Sequence, residues 1–372
     1  MLALSLLVSP GGAILVSNVE PIRDVGGAIL AGADGCTARW SDGQYWLYAL
    51  DYGGCAEQLP NLCANQTKGA CGFSLNHSLA VYSSPDMSSG SWTLRSADAL
   101  PVAARPAGLY FRPKVVWNAR TKTYVMWVRW LDMRGPRLSD DPTYYLVATS
   151  LSPAGPFGVL NSNATTRFAS PADESLLVDE DGTAYIIYSP RGTNHTTAVD
   201  RLSDDFTRSL AAGEAPGAPW DQPSGNSSGA FGSAHVEAPA LFRRVDAAGR
   251  ATYYAMFGAQ CCFCPNGTNI EVHTASSPLG PWTAAGEIGT NASAFSTGAQ
   301  QNYVATIPAP YGGAPTMLWQ GNRWGSSPDG AFHHDFHFWA PMRFDDATGR
   351  PHNISWLDSF ELPVATNQMR AN

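Results

Sequence analysis

One pattern recurs five times along the chain: a short apolar segment, a turn, and a second segment centred on tyrosines or tryptophans. Short apolar runs bounded by turn residues predict strands, so each copy predicts a β-hairpin. The copies follow one another at roughly sixty to eighty residues, which is too long for a solenoid coil and suits propeller blades of about four strands. The sequence therefore predicts an all-β protein, a single five-bladed β-propeller. The five hairpins are Gly26–Ala31 with Gln44–Leu50, Pro113–Asn118 with Thr123–Trp130, Ser175–Asp179 with Thr183–Ser189, Ala238–Arg244 with Thr252–Gly258, and Asn302–Ile307 with Thr316–Gln320.

The repeat covers nearly all of the 372 residues, so one domain is predicted rather than the two or three that length alone allows. We assign the propeller to residues 22–362 and a C-terminal tail to residues 363–372. Residues 1–21 have two interpretations. Met1–Val8 is apolar but short and has no basic start, so this region is either a degenerate signal peptide or a strand that closes the last blade by pairing the first and last segments.

The charge and hydropathy of the chain exclude several classes of partner. The formal net charge is −8 and the Lys and Arg residues form no cluster, so nucleic acids and anionic membranes are not expected partners. No apolar run reaches the roughly 18 residues needed to span a bilayer. We therefore expect a monomer that does not associate with membranes.

An excess of Asn-X-Ser/Thr sequons points to the secretory pathway. Eight occur, more than chance would give, which predicts a secreted glycoprotein. The sequons begin at Asn65, Asn76, Asn163, Asn194, Asn226, Asn266, Asn291 and Asn353.

The cysteines agree with an oxidising compartment. Six of the seven lie in two predicted loops at the same end of the propeller, where they can form three disulfides of unknown connectivity. The seventh, Cys36, is predicted to lie in a turn at the opposite end and to be unpaired. A zinc site is not expected, because the pair of two-residue spacers that such sites use is missing. The loop cysteines are Cys55, Cys63, Cys71, Cys261, Cys262 and Cys264.

The residues that precede the predicted inner strands carry the chemistry. Inner strands of a propeller start beside the central axis, so these residues face one shared cavity. Three of the five are acids, although acids make up only 31 of 372 residues. Acids that converge in a dry cavity shift each other's pKa values apart, and such a pair is what glycoside hydrolysis requires. The alternative is that each is a solvated turn acid. The five residues are Asp24, Phe111, Asp173, Glu237 and Gln300.

Several segments resemble glycoside hydrolase family 43. Two segments, His235–Arg244 and Ser276–Trp282, are similar to the catalytic-acid blade of that family. Three others are similar to its exo-β-1,3-galactanase-like branch. The resemblance covers residues from about Ile22 to Leu362. The segments are HVEAPALFRR (His235–Arg244), SSPLGPW (Ser276–Trp282), RPKVVWNARTKTYVMW (Arg112–Trp127), LLVDEDGTAYIIYS (Leu176–Ser189) and GNRW (Gly321–Trp324).

The resemblance implies a five-bladed propeller that cleaves sugars with inversion. It implies a base on blade one, a pKa-tuning Asp on blade three and a Glu acid on blade four, which correspond to Asp24, Asp173 and Glu237. In the galactanase-like branch the blade-one Asp is usually missing and a blade-five Gln is thought to replace it. Because this chain has both Asp24 and Gln300, either is a candidate for the base. The branch also tends to carry Glu where this chain has Phe111, which replaces a sugar hydroxyl contact by an apolar surface.

Further residues near the strand ends are candidates for substrate contacts. Aromatic rings there can stack on sugars, and arginine or histidine can bind hydroxyls. A cluster of His333, His334 and His337 can alternatively hold a central water or a cation such as calcium, although no cofactor is expected to be required. The predicted substrate-binding residues are Phe111, Arg112, Trp130, Arg323, Trp324, His337 and Trp339.

These observations predict a secreted, exo-acting, inverting glycoside hydrolase. Its expected substrate is a galactan-, arabinan- or xylan-like polysaccharide or a glycan. In an inverting enzyme the acid and the base should lie about 6.5–9.5 Å apart, with room for a water molecule between them. The alternative from another class is a propeller that binds glycans without cleaving them.

Overall fold

The computed structural model of this protein describes residues 12–53, 77–132, 142–170, 172–191, 194, 196–214, 220–259, 269–291, 294–295, 297, 299–324, 326–329 and 331–366. Met1–Val8 and the six loop cysteines lie outside these residues, so the signal-peptide and disulfide predictions are not tested. No helix in the described ranges is long and apolar enough to cross a membrane.

Strands dominate the described structure, and its helical segments include only short 3-10 turns such as Val102–Ala104, Pro310–Gly312 and Phe332–His334. In chain order the strands are β1 (Ala13–Ser17), β2 (Ala33–Arg39), β3 (Tyr45–Asp51), β4 (Ser78–Ser84), β5 (Thr93–Ser96), β6 (Leu109–Asn118), β7 (Thr123–Leu131), β8 (Thr143–Ser150), β9 (Gly158–Ala164), β10 (Glu174–Val178), β11 (Ala184–Tyr188), β12 (Thr197–Arg201), β13 (Ser227–Phe231), β14 (Val236–Val245), β15 (Ala251–Ala259), β16 (Ile270–Ala275), β17 (Thr283–Ile288), β18 (Thr290–Asn291), β19 (Ala294–Phe295), β20 (Gln300–Ile307), β21 (Thr316–Asn322), β22 (His337–Pro341) and β23 (Ser359–Pro363).

Five antiparallel sheets form the blades of a propeller. Blades one to four are β2-β3-β4-β5, β6-β7-β8-β9, β10-β11-β12-β13 and β14-β15-β16-β17, and blade five is β20-β21-β22. The first strands contact one another in a closed ring that runs β2, β6, β10, β14, β20 and back to β2. The first strand of each blade is therefore innermost, and the predicted five-bladed all-β propeller is confirmed.

The aromatic residues of the repeat form the packing between blades. Each second strand buries one large aromatic side chain almost completely. Burying a ring of this size removes about 150–250 Å² from water, which contributes roughly 4–6 kcal/mol before entropy is subtracted. Packing between blades therefore explains why the pattern recurs once per blade. The five side chains are Tyr48, Trp127, Tyr188, Tyr254 and Trp319.

The two ends of the described chain close the ring between blades five and one. β1 pairs antiparallel with β23, in a register that sets Ala13 opposite Pro363. The side chain of Asn18 joins this pair to β22, because its Nδ2 donates to the carbonyl of Trp339 at 2.9 Å and its Oδ1 accepts from the Trp339 amide at 2.9 Å. Leu362 is buried in a cluster that spans both blades.

Blade one differs from the prediction, because its inner strand is β2 and not Gly26–Ala31. The predicted segment instead forms a turn, in which Oδ1 of Asp24 accepts hydrogen bonds from the amides of Gly26 at 2.8 Å and Ala28 at 2.9 Å. β2 contains few large apolar residues. It passes so close to β3 that a Cβ at Gly35 would collide with the carbonyl oxygen of Tyr48. Because β2 consists mostly of small residues at this close approach, it lacks the run of apolar residues from which the other inner strands were predicted.

Cys36 lies in β2 and not in a turn, and it is buried and unpaired. Burial raises the pKa of its thiol, with a smaller opposing effect from Lys114. The expectation that Cys36 is unpaired is confirmed, while its predicted place in the fold is wrong.

Candidate active site

Irregular backbone at the start of the inner strands directs side chains toward the axis. The pairing register shifts near the start of β2, β6, β14 and β20, which marks a β-bulge in each. In the first three bulges a non-glycine residue has a positive φ: Asp34 at 60°, Arg112 at 53° and Ala238 at 55°. Such a conformation costs on the order of 1–3 kcal/mol and persists only when surrounding contacts hold it. The same construction in three blades therefore indicates a built site.

Arg112 is the hub of this site. Its Nε lies 3.1 Å from Oδ2 of Asp173, and its Nη1 lies 3.7 Å from Oδ1 of Asp34. The guanidinium also donates to Oε1 of Gln300 at 2.8 Å and to Oδ1 of Asn302 at 3.0 Å. Blade two is thereby linked to blades one, three and five. Arg112 is buried among these groups. The contacts described for it are therefore with buried polar side chains and not at an open surface.

Asp173 is held in its ionised form. Besides Arg112, Nη1 of Arg129 donates to its Oδ1 at 2.9 Å, and the Ala238 amide donates to its Oδ2 at 3.0 Å. Burial by itself would raise the pKa of Asp173, but the two guanidinium groups and the amide outweigh burial and lower that pKa to about 2. Ala238 lies in the bulge of β14 and has a left-handed φ, and the amide of this same residue donates to the carboxylate of Asp173.

Glu237 begins the bulge of blade four and is partly exposed. Burial raises its pKa first and the negative charge of Asp173 second, and nearby arginines oppose both effects, so that the pKa is about 7. Near neutral pH the site therefore holds one carboxyl that is ionised, Asp173, and another that titrates, Glu237. That difference in protonation is what a general acid needs.

Asp34 is a site residue that the sequence reading missed. It lies in the bulge of blade one, fully buried, where Nδ2 of Asn322 donates to its Oδ1 at 2.5 Å and the Tyr52 hydroxyl donates to its Oδ2 at 3.1 Å. Burial raises its pKa, while Arg112 lowers it. The acid of blade one at the axis is therefore Asp34, and Asp24 is the solvated turn acid of the alternative interpretation. The Asp-Gly pair at the start of β2 is the signal that could have identified it.

Gln300 connects Arg112 to Glu237. Its Oε1 accepts from Arg112 and from Nε1 of Trp324 at 2.9 Å, and its Nε2 donates to Oε2 of Glu237 at 3.3 Å. A direct hydrogen bond leaves no room for water between the two side chains. The 6.5–9.5 Å gap expected between acid and base is therefore not found between Glu237 and Gln300.

An aromatic wall lies beside the acids. The rings of Phe111 and Trp324 have their centroids 6.4 Å and 6.5 Å from that of Tyr52. Arg129 also lies over Phe111, with its Cζ 5.4 Å from the ring centroid. Trp324 is linked to Glu237 through Gln300, and Phe111 is linked to Asp173 through Arg129, so these two predicted substrate-binding residues lie near the acids.

Two tryptophans that were predicted to stack on sugars, Trp130 and Trp339, lie in the core instead. Trp130 stacks on Tyr144, with centroids 5.0 Å apart, and its Nε1 donates to the carbonyl of Ser162 at 2.8 Å. Trp339 is only 1% exposed and packs in the cluster between blades five and one. Trp130 packs against its own blade and Trp339 packs between blades five and one, and the sequence pattern does not distinguish such packing from sugar stacking.

Arg323 also points away from the cavity. Its Nη1 donates to the carbonyl of Asn18 at 3.0 Å, and its guanidinium lies over the rings of Phe336 and Trp356 at 5.1 Å and 4.7 Å. It therefore secures the segment that follows β1. Its predicted role in binding a sugar hydroxyl is not supported by these contacts.

Of the three histidines of the predicted cluster, His333 and His334 have ring centroids 4.0 Å apart, but each lies beside a different acid. Nδ1 of His333 lies 3.6 Å from Oδ1 of Asp51, and Nδ1 of His334 lies 2.6 Å from Oδ2 of Asp329. His337 lies against Gly32, where a Cβ would collide with its Nε2, and desolvation lowers its pKa to about 4. Among the residues that the structure describes, no three His, Cys, Asp or Glu side chains are grouped to hold a metal ion.

Comparisons with known proteins identify solved structures that share this fold. No protein-family model matches the chain, and no curated protein matches it. Solved structures do match, with the fold of glycoside hydrolase family 43. One is a β-1,3-galactosidase of that family with galactodeoxynojirimycin, at 22% identity and a TM-score of 0.68, where the match covers 92% of this chain and 99% of that one.

Two exo-β-1,3-galactanases are similar to a comparable degree. The enzyme from Clostridium thermocellum has 17% identity and a TM-score of 0.68, and the match covers 95% of this chain and 67% of that one. A Glu-to-Gln variant of the enzyme from Phanerochaete chrysosporium, solved with β-1,3-galactotriose, has 19% identity and a TM-score of 0.67 over 94% of this chain and 68% of that one. The family resemblance found in the sequence is thus confirmed at the level of the fold.

Proposed function

We propose that this protein is a glycoside hydrolase of the family-43 type, with Glu237 as its general acid. The observation that carries the proposal is a pair of neighbouring carboxyl groups, Asp173 and Glu237, whose pKa values are shifted in opposite directions. Two arginines and an amide hold Asp173 ionised, while burial and the charge of Asp173 keep a proton on Glu237 near pH 7. A lone buried acid would give no such pair.

Glu237 would donate its proton to the glycosidic oxygen as the bond to the anomeric carbon breaks. Asp173 would keep the pKa of Glu237 high and hold the side chains around it in position. The low pKa of Asp173 prevents Asp173 from taking that proton. Asp34, the acid of blade one, is fully buried, and it would have to exchange its contacts with Asn322 and Tyr52 before it could accept a proton from the attacking water. Attack on the face opposite the leaving group inverts the anomeric centre. Asp34 lies across Arg112 from Asp173, since both carboxylates contact that guanidinium.

For the substrate we propose a terminal sugar of a galactan-like glycan, released by exo action. The structural neighbours named above act on or bind β-1,3-linked galactose compounds. The partly exposed rings of Phe111 and Trp324 supply an apolar surface suited to the C–H face of a sugar, and the fully buried ring of Tyr52 lies near both. Arabinosides and xylosides are the classes to test beside galactosides.

We also propose that the protein is secreted and glycosylated. Asn163, Asn194 and Asn353, each the first residue of a sequon, are exposed as glycosylation requires. A mass shift on enzymatic deglycosylation of protein from a eukaryotic host would support this proposal, and an unchanged mass would contradict it.

A non-catalytic glycan-binding propeller is the competing function. If Gln300 were the base, its direct contact with Glu237 would favour this function, because no space for a water lies between these side chains. The complete burial of Asp34 favours it too. The presence of an acid with a pKa near 7 at the cavity favours hydrolysis.

The test is hydrolysis of a panel of aryl β-galactosides, α-arabinosides and β-xylosides together with β-1,3-galactan. Glu237→Gln should lose about 10²–10⁴-fold on natural glycans, because general acid catalysis typically contributes that much. Aryl glycosides with good leaving groups should lose much less. Glu271→Gln is the matched control: the same chemical change in the same blade, at a residue paired with His273.

The anomer that first appears in ¹H NMR reports inversion or retention. If the wild type and Glu237→Gln bind the same glycan equally and neither cleaves any member of the panel, the protein is a binding module and the proposed function is wrong.

A further inference from the structure

A groove lies between blades two and three on the face opposite the acids. β6 and β10 begin near Arg112 and Asp173 and run to this opposite face, where both strands end. The groove has a volume of about 330 Å³, within the roughly 300–1,000 Å³ that is typical of ligand sites. A second cavity of about 250 Å³, lined by all five inner strands, adjoins the groove, because Trp117 and Val178 line both.

Contacts between the two blades hold the groove in shape. Nδ2 of Asn118, the last residue of β6, donates to the carbonyl of Asp204 at 2.8 Å. Nε1 of Trp127 donates to the carbonyl of Phe206 at 2.8 Å, and the side chains of Arg120 and Asp204 form an ion pair at the rim. A groove that is held by such contacts is formed before any ligand binds, which lowers the free-energy cost of binding.

Trp117 supplies an aromatic surface where the two cavities meet. It is partly exposed, and its ring is held against that of Tyr124, with the ring centroids 4.7 Å apart. Val178, which is also partly exposed, lies beside it in both cavities. A rigid aromatic ring of this kind is the surface on which the C–H face of a sugar can stack.

The rim of the groove carries charges of both signs. Arg120 and Arg201 are exposed, as are Asp181 and Asp204, and all four line the groove. The two positive and two negative charges cancel, so the rim does not favour a strongly charged ligand. Guanidinium groups can only donate hydrogen bonds, and ionised carboxylates can only accept them. A ligand that suits this rim is uncharged and has groups that both donate and accept, as sugar hydroxyls do.

We propose that this groove is a second, non-catalytic binding site for a neutral oligosaccharide or polysaccharide chain. Trp117 stacks on one sugar ring, and the charged rim binds the hydroxyls of adjoining units. A second site keeps the protein on a polymer while the cavity at Glu237 engages a chain end, because attachment at one site raises the effective concentration at the other. The site goes beyond the proposed function, and only the choice of β-1,3-galactan as the first probe rests on it.

Trp117→Ala is the main test, made in the Glu237→Gln protein so that glycans bind without being cleaved. Affinity electrophoresis in gels that contain β-1,3-galactan, arabinan or xylan measures polymer binding. Affinity should fall by on the order of 10-fold or more for at least one of these polymers, as loss of a tryptophan anchor typically causes. Calorimetric titration with β-1,3-galactotriose counts the sites, and Trp117→Ala should remove one, whether or not the cavity at Glu237 binds as well.

Trp220→Ala is the matched control. Trp220 is 45% exposed and belongs to the connection between β12 and β13, as Asp204 and Phe206 do, but it is not a lining residue of the groove. Its replacement should leave polymer binding unchanged. Equal losses from Trp117→Ala and Trp220→Ala would show that the groove has no special role, which would overturn the proposal.

Arg201→Ala is the second variant, in case Trp117→Ala does not fold. Arg201 is exposed, and substitutions at such positions usually change the unfolding free energy little. Loss of its hydrogen bonds to sugar hydroxyls should weaken polymer binding by about 3- to 10-fold. Unchanged binding of all three neutral polymers by every folded variant of Trp117 and Arg201 would overturn the proposal, and so would binding of polygalacturonate in place of the neutral polymers.

Activity measurements distinguish this site from the cavity at Glu237. With Glu237 intact, Trp117→Ala should slow the release of sugar from the polymer and leave kcat/KM for an aryl glycoside unchanged, because so small a substrate occupies only that cavity. An equal loss on both substrates would overturn the second site. If the wild type cleaves nothing, the proposed function fails, yet the loss of polymer binding in Trp117→Ala still supports the groove.

Discussion

Glu237 links the stability of the protein to its chemistry. Its pKa is about 7 in the folded protein, whereas an exposed glutamate has a pKa of about 4.3. Between these pH values the unfolded chain ionises while the folded protein keeps its proton, so the wild type loses stability as pH rises through this window.

Glu237→Gln should remove this dependence. The variant should gain up to about 3 kcal/mol over the wild type between pH 4.5 and pH 7.5, since each pKa unit corresponds to about 1.36 kcal/mol. Urea denaturation at several pH values measures the gain without any substrate. A constant difference across this range would contradict the raised pKa of Glu237.

Asp173 acts on the same proton from the opposite side. Its charge raises the pKa of Glu237, so Asp173→Asn should lower that pKa and shift the basic limb of activity to lower pH. The variant should also lose stability above about pH 4, because the depressed pKa of Asp173 contributes stability that acid removes. Profiles of kcat/KM against pH test the first effect, and an unmoved limb would show that Asp173 does not tune Glu237.

Arg112 determines how the inner strands fit together. Its guanidinium, placed by the bulge of β6, contacts side chains from three other blades. Arg112→Met should leave the buried carboxylates of Asp34 and Asp173 short of a partner and cost about 3–5 kcal/mol of unfolding free energy. The exposed pair Arg120–Asp204 provides the control. Arg120→Met should cost only about 0–1 kcal/mol, and equal losses in urea denaturation would show that the hub has no special role.

Closure of the ring depends on the strand pair β1–β23. Leu362 is fully buried between blades five and one, whereas Leu15 on the partner strand is 68% exposed. Leu362→Ala should therefore lower the unfolding free energy by about 2–5 kcal/mol. Leu15→Ala should have little effect. Thermal unfolding of both variants measures the contrast, and equal behaviour would mean that this pair is not part of the cooperative unit.

The number of blades and most of the ring could be predicted from local sequence patterns. One aromatic strand per blade reports the packing between blades, and packing repeats wherever the architecture repeats. Asp173, Glu237 and Gln300 were identified because clear apolar strands follow them. These are local signals, since side-chain size and alternation are written in neighbouring residues.

Only the tertiary structure decided which side chains meet. Asp24 and Asp34 both precede plausible strands, and the choice depended on a close approach between β2 and β3 that favours glycine and small residues. Trp130 and Trp324 likewise look alike in sequence, yet Trp130 lies in the core and Trp324 donates to Gln300 beside the acids. The partners of Arg112 come from residues 34 to 302. Contacts over such separations, and the protonation states that they set, arise only when five blades close around one axis.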